Sequence, residues 1–169
     1  MAYLKKLEKL LKEKKHSELQ EFCREKLQFK PEDTDLLFYY AVSLEMLGEY
    51  DAARNTFEKL FRITKDKIFR ICEAIPEFMK GDNEKAASIL KYATKKDDDP
   101  GHLFLAFRIA IEGGEGALAS AALRKAFSLG PSRTIVLLQE YFEGLHEKRP
   151  ERILLFVSLL ELLKEVENT

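Results

Sequence analysis

Three glycines spaced by the same 33 residues, Gly48, Gly81 and Gly114, constrain this chain more than any other feature. Each opens the same short pattern. Gly48 leads into Glu49-Tyr50-Asp51-Ala52-Ala53 and on to Phe57 and Leu60; Gly81 into Asp82-Asn83-Glu84-Lys85-Ala86 and on to Leu90 and Ala93; Gly114 into Glu115-Gly116-Ala117-Leu118-Ala119 and on to Leu123 and Ala126. A fixed period of this length marks an array of stacked supersecondary units. Apolar residues recur at spacings of three and four on both sides of each glycine, so each unit reads as two helices of about a dozen residues. The glycine ends the first helix in a conformation that a side chain would strain, and the second helix folds back antiparallel. Ala53, Ala86 and Ala119 fall early in that second helix, where a larger side chain would force the pair apart.

Punctuation between the units agrees with this division. Pro31 is followed by Glu32 and Asp33, Asp99 precedes Pro100 as an expected N-cap, and Gly130-Pro131-Ser132 closes the third unit. Helices are therefore predicted near residues 2–14, 17–28, 33–47, 50–63, 66–79, 83–95, 100–112, 115–129, 132–145 and 149–166. Two departures stand out. Pro76 lies inside a first helix and removes a backbone donor, which predicts a kink or break near Ile75. Phe107 stands where Ala41 and Ala74 put a small residue, with Ala106 before it, as though large and small had been exchanged.

The run Leu37, Tyr40, Ala41, Leu44, Gly48, Tyr50, Ala53, Phe57 and Leu60, with Pro131 closing the third unit, resembles the tetratricopeptide repeat family. The resemblance is specific over residues 34–131 and weakens outside them, where Lys14-Lys15-His16 and Glu147-Lys148-Arg149-Pro150 replace the glycine turn. It implies an all-α fold: a right-handed α-solenoid of antiparallel helix pairs, about ten helices in one domain over 1–169, with degenerate capping pairs at 1–30 and 132–169. It further implies that the first helix of each pair lines a concave groove, whose positions are Phe38, Val42 and Glu45, then Ile71, Ile75 and Phe78, then Phe104, Arg108 and Ile111. Met46, Cys72, Met79 and Leu105 lie beside them. Family members that hold a carboxylate terminus place lysine, asparagine and arginine there, whereas this row is mostly hydrocarbon. A chaperone-like adaptor for an apolar helix or peptide is the expectation, with Arg108 available for one acidic group. The other reading of the row is a tightly wound solenoid that buries its own inner face. The apolar run from Ile153 to Val166 covers more than one face of the last predicted helix, so that helix either packs within the chain or forms a homodimer or partner contact.

Enzyme chemistry finds no foothold. His16, His102 and His146 have no second ligand at metal spacing, and Asp97-Asp98-Asp99 lacks the alternation of a calcium loop and reads as a solvated linker and cap. No phosphate-binding loop or nucleophile elbow is present, so no cofactor is expected. With 28 basic against 29 acidic residues and an apolar groove, nucleic acid is not an expected partner. The lysines of the first fifteen residues read as the solvated face of a terminal helix, and they interrupt any apolar leader. Cys23 and Cys72 form no disulfide framework, which points to a reducing, cytoplasmic setting. The run Ile153 to Leu163 is too short for a membrane span.

Overall fold

A computed structural model of the chain describes residues 3–148; the helix expected over 149–166, with its apolar run, lies outside the described residues. Among those residues every regular element is a helix. They form two compact units that divide between Lys95 and Lys96.

The first unit holds α1 (Leu4–Lys12), α2 (His16–Leu27), α3 (Thr34–Met46), α4 (Tyr50–Thr64), α5 (Lys67–Cys72), α6 (Ala74–Lys80) and α7 (Asn83–Thr94). Its core repeats with the sequence. Leu7, Ala41 and Ala74 are fully buried at one register of the first helices, and Leu19, Ala53 and Ala86 at one register of the second helices. Cys23, Phe57 and Leu90 fill the next inward position. At the N-terminal end Leu7, Leu10, Leu19, Cys23 and Leu36 make one cluster, flanked by Phe22, Tyr39 and Tyr40.

The glycine turns have the geometry their sequence predicts. Gly48 and Gly81 have φ of +81° and +89°, a region closed to most side chains. The amide of Gly48 donates to Glu45 O and that of Glu49 to Leu44 O; Gly81 and Asp82 donate likewise to Phe78 O and Glu77 O. This pair of bonds satisfies carbonyls that the helix end leaves free. The first hairpin makes the same turn without glycine. Lys14 has φ of +56°, its amide donates to Leu11 O, and Lys15 N donates to Leu10 O. The repeat therefore runs back to the start of α1, with lysine standing in the strained position.

The interruption predicted by Pro76 near Ile75 occurs at Glu73, between α5 and α6. Proline offers no amide to the carbonyl four residues earlier, that of Cys72, and its ring crowds the preceding turn. Pro76 itself sits in the first turn of α6, where no intrahelical donor is required.

The second unit holds α8 (Pro100–Glu112), α9 (Gly116–Leu129) and α10 (Pro131–Lys148). Asp99 caps α8 by accepting from Gly101 N and His102 N, with Pro100 at the tolerated start. Gly114 has φ of +81° and repeats the turn bonds to Ile111 O and Ala110 O. Gly130 is needed for a different reason: a Cβ there would meet the Pro100 ring at 2.7 Å. Both Ala106 and Phe107 are buried, and the exchanged phenylalanine is accommodated by α10, whose Tyr141 ring meets it edge-on at 6.1 Å.

Candidate functional site: the exposed face of the first helices

Helix α3 starts where Asp33 accepts a hydrogen bond from Leu36 N at 3.1 Å. Leu36, Leu37, Ala41 and Leu44 turn inward and are buried. The opposite stripe is Phe38, Val42, Glu45 and Met46. Phe38 is 37% exposed and Met46 51%, while Val42 is half-buried. Phe38 contacts the ring of Phe69 on α5 at 6.5 Å, so this stripe faces α5. On α6, Ile75 and Phe78 are half-buried and Met79 is exposed. Met46 and Met79 are 33 residues apart and occupy the same place in successive repeats.

Three of the expected groove residues are buried: Glu45, and two that belong to the apolar core. Ile71 is fully buried where α5 packs against α4 and α7. Phe104 is buried in the second unit against Phe107 and Tyr141, at centroid distances of 5.4 and 6.2 Å. Both share the register of the exposed Phe38, so equivalence in the repeat does not carry equal exposure. Also in the second unit, Arg108 is exposed and lies 5.1 Å from the Tyr141 ring, and Ile111 is half-buried.

The electrostatics beneath the first-unit face were not legible in the sequence. Three glutamates are buried there: Glu45, Glu73 and Glu77. Glu77 has Arg54 Nε at 3.2 Å and Lys85 Nζ at 2.9 Å. Glu73 has Arg70 Nη1 at 2.9 Å; burial pushes its carboxyl up and the arginine opposes that. Glu77 Oε2 and Glu45 Oε1 are both buried with no hydrogen-bond partner, but Glu45 differs in having no cation beside it, and burial alone pushes its carboxyl up to about 8. Cys72 on α5 feels that carboxyl, and burial above all pushes its thiol up to about 12. A signal for Glu77 existed: it stands in the register of Leu10, Leu44 and Ala110, all buried. Beside these acids a small open pocket of about 240 Å³ is lined by Arg70, Glu73, Lys85, Ser88, Ile89 and Tyr92.

In the second unit Asp97 corrects the reading of a wholly solvated linker. It is buried, accepts from Asp99 N at 3.0 Å, and has His102 Nδ1 at 3.2 Å. Among the described residues no group of three or more histidines, cysteines or acids is placed to hold a metal ion. Nor is any described helix long and apolar enough to cross a membrane.

No family profile and no curated protein matches the chain. Among solved structures, that of the MamA RS-1 ArsTM double mutant is similar to it, with a TM-score of 0.55 and 18% identity over 99% of this chain and 96% of that one. MamA is a tetratricopeptide-repeat-like protein, and the likeness shows a fold of that kind.

Proposed function

We propose that the chain is a non-catalytic protein-binding scaffold, a chaperone-like adaptor that takes an apolar helix or peptide of a partner protein. The observation that carries this is the exposed apolar stripe of the first unit: Phe38 and Met46 on α3 and Met79 on α6, with Val42, Ile75 and Phe78 half-buried beside them. Large apolar side chains gathered on one face favour a partner, and methionine adapts to varied shapes. Ile71 supports that face from within rather than touching the partner, and Phe104 belongs to the core of the second unit.

The test uses positions where charge does not enter the core. Pull-downs from native lysate, read by mass spectrometry, compare the wild type with a Phe38→Glu/Met46→Glu variant that keeps its helical circular dichroism. Loss of a dominant captured protein supports the reading; recovery of the same proteins by both baits removes this face from it. A second reading, self-association through the apolar run Ile153 to Val166, rests on the sequence alone. Sedimentation of the full chain against Leu159→Glu/Leu163→Glu separates the two, since only self-association predicts a concentration-dependent mass that the variant loses.

A further inference from the structure

The buried acids of the described residues divide unequally. Glu73, Glu77 and Asp97 each have a cationic or imidazole nitrogen within salt-bridge distance. Glu77 Oε2 and Glu45 Oε1 both lack a hydrogen-bond partner, but Glu77 has two cations beside its other oxygen, whereas Glu45, only 5% exposed, has no cation of the described residues within salt-bridge distance. A polar group removed from water without a partner is costly, and a hydrocarbon at that place would cost nothing of the kind. The other repeats carry hydrocarbon there: Leu11, Phe78 and Ile111 stand in the register of Glu45, and all three are half-buried. The acid is also placed along the exposed stripe. It lies on α3 one turn beyond Val42 and two beyond Phe38, next to Met46, on the stripe whose Phe38 meets the Phe69 ring of α5.

We infer that Glu45 selects the partner: its carboxylate receives the ammonium or guanidinium of a lysine or arginine that a partner peptide inserts beside α5, while apolar residues of the peptide lie on Phe38, Val42 and Met46. This rests on the scaffold reading and gives its ligand a chemistry. A long aliphatic stem ending in a cation suits this place, because the stem can lie on Val42 and Phe38 while its head pairs with the carboxyl once the side chains that shield it move aside. A charge-assisted bond formed out of water is stronger than one at the surface, and an apolar peptide without a cation leaves the acid unpaired. Arg54, Lys85 and Arg70 are committed to Glu77 and Glu73, so the neighbouring cations do not fill the place.

Selection of phage-displayed random dodecapeptides on the immobilised full chain, followed by fluorescence anisotropy of synthetic binders, tests the assignment. Enriched peptides should carry one lysine or arginine among apolar residues. Glu45→Gln should weaken them roughly 30-fold or more, the loss typical when one partner of a buried charge pair is removed. Norleucine in place of the basic residue should weaken wild-type binding comparably and cost little more against Glu45→Gln. Phe38→Ala should weaken both peptides alike. Enriched peptides that are purely apolar, or basic peptides indifferent to Glu45→Gln, overturn the role of Glu45 while leaving the scaffold reading in place. Absence of enrichment, or binding indifferent to Phe38→Ala and Met46→Ala, overturns both. Glu45→Gln must melt no lower than the wild type, which separates lost recognition from lost fold.

Discussion

With no partner bound, the folded chain keeps a proton on Glu45 below a pH of about 8, because the ionised carboxylate would stand alone in a desolvated place; a cation brought by a peptide favours the ionised form. The unfolded chain releases that proton near 4.5. Between those values the folded state binds more protons than the unfolded one, so stability falls as pH rises through the window and levels off above it. Thermal melts of Glu45→Gln should lie above the wild type at pH 8 by ~2 kcal/mol or more and should fall less from pH 5 to 8, with the gap closing towards pH 5. The buried Glu73 retains part of the slope, since burial raises it in the same direction. Equal slopes for both proteins would show that Glu45 is solvated after all. Glu77 makes a contrasting case, with cations on two sides. Arg54→Met leaves the buried carboxylate with Lys85 alone and should cost ~1–3 kcal/mol in urea unfolding, less than a fully buried pair because Arg54 is partly exposed. Adding Glu77→Leu to that variant should recover most of the loss. A double variant less stable than Arg54→Met would contradict this account.

At the scale of the hairpin, Gly48, Gly81 and Gly114 were legible in the sequence because only glycine enters their conformation at no cost, and they mark the turns in the fold. The first turn was concealed for the converse reason. Lys14 makes the same pair of hydrogen bonds against its own preference, and lies 34 residues before Gly48. Lys14→Gly should therefore raise the melting temperature, by a gain of ~0.5–1 kcal/mol after the added freedom of the unfolded chain is subtracted. A lower melting temperature would mean that Lys14 supplies a contact worth more than its strain. Helix ends were read to within a few residues from caps and periodicity. The site was less legible, because periodicity gives the face of a helix but not what covers it. Tyr141 of α10 covers Phe104, and α4 and α7 enclose Ile71, whereas Phe38 at the same register stays half open. Burial of Glu45 was hidden in the same way, since an acid on a helix is read by default as solvated.

Across the molecule the period extends over both compact units, from Leu7 through Ala41 and Ala74 to Phe107, each fully buried. An array of such similar hairpins faces a hazard that a single-copy fold does not, namely closure with one hairpin out of step. Glu77 bears on that hazard. Its cations come from the second helix of the hairpin before and the second helix of its own, Arg54 on α4 and Lys85 on α7. At the register of Arg54 the flanking repeats offer Gln20 and Ala87, and at that of Lys85 they offer Ala52 and Leu118. A stack slipped by one repeat would leave the carboxylate facing amide or hydrocarbon. The hypothesis that follows is that Glu77 works as an address, fixing which hairpin sits between which neighbours at some expense of stability. The Arg54→Met/Glu77→Leu chain should then refold to a mixture of species on size exclusion, including exchanged dimers, where the natural sequence gives one; a single sharp peak from both would sink the idea.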